Sequence, residues 1–142
     1  MLKRRIEAMI SKKMKYALKA LIYIAKKEGG QVITREIAEN ASIPKKFLEQ
    51  ILLELKKGHI VNSRQGNAGG YYLLKKPEQV SLAEVYRLID GPIALIPCVS
   101  KNFYEPCDDC PNEATCKIRG ALLEVRDQML EVLERTTVGD LI

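Results

Sequence analysis

All four cysteines of the chain fall between positions 98 and 116: Cys98, Cys107, Cys110 and Cys116, in the stretch PCVSKNFYEPCDDCPNEATC. Thiolates crowded into one segment repel each other unless a cation or cluster neutralises them. Soft sulfur donors favour zinc, copper(I) or iron–sulfur clusters. A structural zinc site usually shows two close ligand pairs, and here only Cys107 and Cys110 form one. The gaps of eight, two and five intervening residues are irregular, which suits a loop wrapped around a larger cluster. Glu105, Asp108, Asp109 and Glu113 add negative charge nearby; close to a cluster they would depress its reduction potential. Their other role is solvation of an exposed loop. Zinc, iron–sulfur and metal-free thiol chemistry all remain open on these residues.

Catalysis has little support. A Cys-x-x-Cys pair can exchange disulfides, but the acidic residues between Cys107 and Cys110 raise thiol pKa values, and no βαβ pattern surrounds them. His59 is the only histidine. There is no phosphate-binding glycine loop and no serine triad arrangement. A thiol-disulfide oxidoreductase is therefore the alternative from another class, and the weaker one.

The cysteines need elements to hold them, and the charge pattern shows what those elements face. Residues 1–70 carry fifteen Lys and Arg against six Asp and Glu, whereas residues 71–142 carry eight against twelve. The basic half suits a polyanion. No apolar run reaches the roughly 18 residues that span a bilayer, and MLKRRIEAMISKK lacks the core of a signal peptide. We expect a cytoplasmic protein with reduced thiols and no membrane partner.

Met14, Leu18, Leu21, Ile22 and Ala25 recur at helical spacing, and the glycines of EGG (28–30) end that helix. Thr34 can cap a short helix, REIAEN, with Ile37 and Ala38 inward. ASIP (41–44) is a turn, and KKFLEQILLELKKG is a second helix, with Phe47, Ile51, Leu52 and Leu55 on one face and Gly58 as its stop. Together these describe a helix-turn-helix, whose second helix starts with Lys45, Lys46, Glu49 and Gln50, where base edges are read. Strand-like runs near 60–64 and 71–74 flank QGNAGG, a hairpin turn. A hairpin directly after a recognition helix is a wing, with Arg64 beside its tip. SLAE (81–84) reads as a capping box opening the helix LAEVYRLID. From about Thr115 a longer helix carries Ile118, Leu122, Val125, Met129 and Val132 as an a/d seam, widened by Leu123, Leu130 and Leu133. That surface can pack on its own domain, on a second copy, or on both.

The resulting fold class is mainly α with a small β-hairpin: a winged helix-turn-helix plus a long C-terminal dimerisation helix. Residues 1–92 form the DNA-binding part (1–8 an extra arm), 93–117 the cysteine-rich loop, 115–135 the dimerisation helix and 136–142 a tail.

Five segments in register then resemble the IscR/NsrR/CymR group of bacterial winged-helix regulators: SKKMKYAL (11–18), IPKKFLEQILLELKKGHIV (43–61), AGGYYL (68–73), SLAEVYRLIDGP (81–92) and TTVGDL (136–141). The resemblance implies a homodimer on double-stranded DNA, reading a roughly palindromic operator with Lys45, Lys46, Glu49 and Gln50 of the helix and Arg64, Gln65, Gly69 and Tyr71 of the wing. It also implies an iron–sulfur cluster, [2Fe–2S] or [4Fe–4S], before the long helix, with zinc as the alternative cofactor. Cys110 and Cys116 match the spacing of the last two family cysteines, and Cys98 fits the first. The chain departs from the pattern in three respects: the fourth ligand, the wing and the start. Where the family often supplies a histidine ligand stands Arg119, a poor ligand, and where others supply an acidic residue stands Lys15. Cys107 is an additional thiol, so ligation by Cys98, Cys107, Cys110 and Cys116 is the simplest resolution. Gln65 stands where arginine usually precedes the wing glycine. Residues 1–8 precede the family's usual start near Met9.

Overall fold

The computed structural model describes residues 10–67 and 69–142. The N-terminal arm at 1–8 and Ala68 of the wing signature lie outside the described residues. Helix α1 (Lys12–Ala25) runs through the middle of the molecule. Its start is held by Ser11, whose hydroxyl accepts from the Met14 amide at 2.9 Å. Asp90 accepts from both the amide and the hydroxyl of Ser11. Met14, Ala17, Leu21 and Ile24 are buried. Leu18 and Ile22, from the expected stripe, sit at its margin, partly buried against the core. Met14, Leu21 and Ala25 of the expected stripe are thus buried, and Ala17, Ala20 and Ile24 widen the buried face.

Helices α2 (Thr34–Ala41) and α3 (Lys45–Lys57) form the helix-turn-helix. The cap of α2 differs from the expectation: Ile33 occupies the N-cap, without a side-chain bond, and Thr34 is already helical. The extended backbone at Val32 is pinned to Tyr71 by two hydrogen bonds of 2.9 and 2.8 Å, which sets the helix start one residue early. Ser42 turns the chain with φ +54°. Pro44 is the N-cap of α3 and Gly58 its C-cap. Leu48, Ile51, Leu52 and Leu55 are fully buried. Phe47 packs edge-on against Tyr16, 5.5 Å between ring centres.

Strands β1 (Val61–Arg64) and β2 (Gly70–Leu73) pair antiparallel, Val61 opposite Leu73 and Arg64 opposite Gly70. The short bridge between Val32 and Tyr71 docks this hairpin on the body. Gly70 has φ +148°, and a Cβ there would lie 2.7 Å from the Val32 carbonyl. Only glycine fits that close approach.

Helix α4 (Leu82–Ile89) starts at Ser81, whose hydroxyl accepts from the Glu84 amide at 3.1 Å. Half of the capping box is thus formed; the Glu84 carboxylate turns instead to Lys75. After short 3-10 turns at Pro97–Val99 and Glu113–Thr115, α5 (Lys117–Arg135) leads back to the body. The segment after α5 returns beside α4: Leu82 donates to the Thr136 carbonyl and Val138 to that of Val80, both at 2.9 Å. Val138 is fully buried in the main core.

The long seam divides into two faces. Leu130 packs with Ala83 and Ile93, and Tyr86, Met129 and Leu133 close that second small core. Ile118, Val125 and Val132 remain 70, 39 and 47% exposed. Packing on its own domain therefore covers only part of the apolar surface of α5. Among the described residues, no helix is long and apolar enough to cross a membrane.

Candidate functional site

Two groups of side chains stand out, one polar and basic, one sulfur-rich. The first is the outer face of α3. Burial of Leu48, Ile51, Leu52 and Leu55 turns Lys45, Lys46, Glu49 and Gln50 to solvent. The two lysines occupy the first helical turn and the other two lie one turn on. Lys56 donates to the Ser63 hydroxyl at 2.8 Å, fixing the end of α3 against β1.

The wing stands beside this face. Arg64 and Gln65 are exposed at its tip, and Gly69 is half-buried. A Cβ at Gly69 would lie 2.5 Å from the Arg64 carbonyl, so the turn closes tightly on itself. Tyr71 lies largely inward: it packs against the main core. Burial raises its phenol pKa, and the Glu49 carboxylate adds to the effect. The residue that touches the tip cation is its neighbour, Tyr72, whose ring centre lies 5.2 Å from the Arg64 guanidinium carbon. Strand alternation is the signal that separates these two tyrosines.

The second group surrounds the Pro97–Val99 turn. Cys98 is buried, while Cys107, Cys110 and Cys116 are half-buried, and all four are free thiols. The Glu105 amide donates to the Pro97 carbonyl at 3.3 Å, laying the segment that carries Cys107 beside Cys98. The Cys110 amide closes a turn onto the Cys107 carbonyl at 3.4 Å. Burial first, then the neighbouring Cys98 thiol, pushes the Cys107 pKa up. Cys116 is the N-cap of α5, and its Sγ accepts from the Arg119 amide at 3.4 Å.

Two arginines of α5, one heptad apart, grip the Cys98 turn from the other side. Arg126 Nη1 donates to the Val99 carbonyl at 2.7 Å, and Arg119 Nη2 to the Cys98 carbonyl at 3.4 Å. Arg119 Nε is buried and has no hydrogen-bond partner among the described residues. The nearest carboxylate oxygen of its ion pair, Glu113 Oε2, is 3.9 Å away. Sequence reasoning identified Arg119 only as a missing ligand and passed over Arg126. Their seven-residue spacing was visible, but their partners are backbone carbonyls, which carry no sequence signature.

Among the described residues, no three His, Cys, Asp or Glu side chains already converge on a metal position. The donor types nonetheless suit an iron–sulfur cluster: four soft thiols on one loop, and the buried, unbonded Nε of an arginine whose guanidinium reaches the Cys98 carbonyl. A ligand set that gathers only on binding is ordinary, since metal affinity and local folding are coupled.

Residues 10–142 match the profile of the Rrf2 family, described as an iron-dependent transcriptional regulator. The chain is 48% identical over 138 residues to an rrf2-like HTH-type transcriptional regulator of Rhodobacter capsulatus, spanning 94% of this chain and 92% of that one. It is 28% identical over 134 residues to the HTH-type transcriptional regulator IscR of Escherichia coli, spanning 94% and 79%. Its fold matches that of CymR, the global cysteine regulator of B. subtilis, with a TM-score of 0.76 and 31% identity over 95% of this chain and 96% of that one.

Proposed function

The chain belongs to the Rrf2 family of transcriptional regulators, and on that premise we propose that it senses iron, redox or nitric oxide status through an iron–sulfur cluster and adjusts transcription accordingly. Two copies join through α5 and set two helix-and-wing units on a roughly palindromic operator of double-stranded DNA. Lys45, Lys46, Glu49 and Gln50 face the major groove; Arg64, Gln65 and Gly69 face the backbone at the wing. Tyr71 holds the wing in place from behind. Cys98, Cys107, Cys110 and Cys116 hold the cluster.

One observation carries this reading. Cys98 sits on a turn that α5 grips through Arg119 and Arg126, Cys107 lies beside it, and Cys116 caps the same helix. A cofactor bound there touches both the DNA-reading part and the helix that sets the two copies relative to each other. It acts as a switch only if it interacts differently with two such arrangements.

The test is anaerobic purification with iron and sulfide analysis, a visible spectrum, and operator affinity with and without the cofactor. Iron and sulfide in equal amounts, with a change in affinity on their removal, is the expected result. Zinc in protein never exposed to oxygen would overturn the sensing mechanism. Separate alanine variants of the four cysteines then assign the ligands. Retention of the cluster in Cys107→Ala would point to a fourth ligand other than sulfur. A metal-free thiol sensor is the second reading, supported by the closeness of Cys107 to Cys98. It requires full operator regulation in protein that binds no metal.

A further inference from the structure

We propose that Arg119 is the charge-compensating positioning residue of the cysteine site, its Nε–H held ready for the sulfur of a bound cluster. The inference rests on the cluster reading above and deepens it. Three observations converge. The Nε–H of Arg119 is buried without a hydrogen-bond partner among the described residues. An unmade hydrogen bond on a buried charged donor is costly, so a retained orphan of this kind points to an acceptor that arrives later. The rest of the side chain is already fixed, with Nη2 on the Cys98 carbonyl at 3.4 Å. The backbone amide of the same residue donates to Cys116 Sγ at the start of α5. One residue therefore touches the cysteines at both ends of the loop.

The electrostatics agree. A cluster with four thiolate ligands is anionic overall. It would meet the positive end of a 19-residue helix at Cys116 and the guanidinium at Arg119. The loop's carboxylates at Asp108 and Asp109 are exposed to solvent, though Asp109, after burial and the Cys98 thiol, still acts on Cys107 and raises its pKa. Glu113 is turned to Tyr104 and the guanidinium, which orients the arginine while leaving Nε–H unbonded. Hydrogen bonds to cluster sulfurs and nearby positive charge both stabilise the reduced, more negative state, and so raise the reduction potential.

The experiment compares anaerobically prepared native protein with Arg119→Gln and Arg119→Lys. It reads iron and sulfide content, the visible spectrum, the midpoint potential, and the rate at which a chelator removes iron. Arg119→Gln keeps shape but loses charge. Its potential should shift negative and its iron should leave about tenfold faster, which by rate arithmetic is about 1.4 kcal/mol. Arg119→Lys should recover most of the native potential, because the charge returns. Failure of Arg119→Gln to load, with Arg119→Lys loading, is the stronger form of the same result. A cluster of native potential and native lifetime in Arg119→Gln would overturn the proposal. So would loss of the cluster from both variants, which would make the guanidinium a structural clamp on the Cys98 turn. Native protein free of iron and sulfide would instead defeat the cluster reading itself, a result separate from either.

Discussion

Lys45 and Lys46 open α3, and Glu49 and Gln50 follow one turn later on the same exposed face; these pairs have different work to do. On the proposed reading the lysines offer charge to phosphates, whose contribution is independent of sequence and sensitive to salt. Replacing both by alanine should weaken binding to operator and to random DNA alike. It should also flatten the dependence of log affinity on log salt by roughly 0.9 per lost phosphate contact. Gln50→Ala should instead change discrimination among operator variants by roughly 1–3 kcal/mol per lost base contact, with the salt slope unchanged. Binding titrations over a salt series separate the two. At Gly70 the constraint is on the backbone: with φ +148° and the Val32 carbonyl in the way, Gly70→Ala should lower stability by about 1–3 kcal/mol in thermal or denaturant unfolding. The cysteines, the lysines and the wing glycines could be picked out from residue type and spacing alone. Arg119 could not, since its role depends on the carbonyl of Cys98, 21 positions earlier.

Helix α5 shows how far a pattern of apolar residues reaches and where it stops. The a/d seam and the added leucines together marked one broad apolar face, and both occupants of that face remained possible. The structure separates them: Leu130, Met129 and Leu133 close a small core with α4, while Ile118, Val125 and Val132 stay exposed. Periodicity identifies a helix face, but only the angle at which α5 crosses α4 decides which part of it the chain covers itself. The same holds for α1, where Met14, Leu21 and Ala25 are buried as the spacing marks them, while Ala17, Ala20 and Ile24 join them and Leu18 and Ile22 stay at the margin. Met129 belongs partly to the internal core, so charge there would disturb the protomer. Val125→Glu with Val132→Glu is the cleaner test of the dimer. Both side chains are exposed in the protomer, so stability of the single chain should change little. Like charges facing each other across a two-fold axis should dissociate the pair. Sedimentation should then find monomers; a double variant that stays dimeric would move the interface elsewhere.

At the scale of the whole molecule, the winged body meets α5 along α4, through the small core of Ala83, Tyr86, Leu130, Met129 and Leu133, and the cysteine turn is held on the first half of the same helix. Arg119 and Arg126 fix α5 to the carbonyls of Cys98 and Val99, and the chain after α5 returns to bury Val138 in the main core. The body and the cysteine turn thus share α5, and on the proposed reading a change at the cysteines tilts that helix relative to the body. In a dimer such a tilt alters the spacing of the two wings. It leaves the chemistry of each α3 surface untouched. The cofactor should therefore act on simultaneous reading of two half-sites and not on either half-site alone. A tenfold change in operator affinity requires only about 1.4 kcal/mol of coupling, well within reach of a few hydrogen bonds remade at the turn. The monomeric Val125→Glu/Val132→Glu variant makes this measurable. In native protein, removing the cofactor should change affinity for the full operator. In the monomeric variant, loaded and stripped forms should bind an isolated half-site with equal affinity. A cofactor effect of full size on the half-site would place the switch inside a single winged body and remove wing spacing from the mechanism.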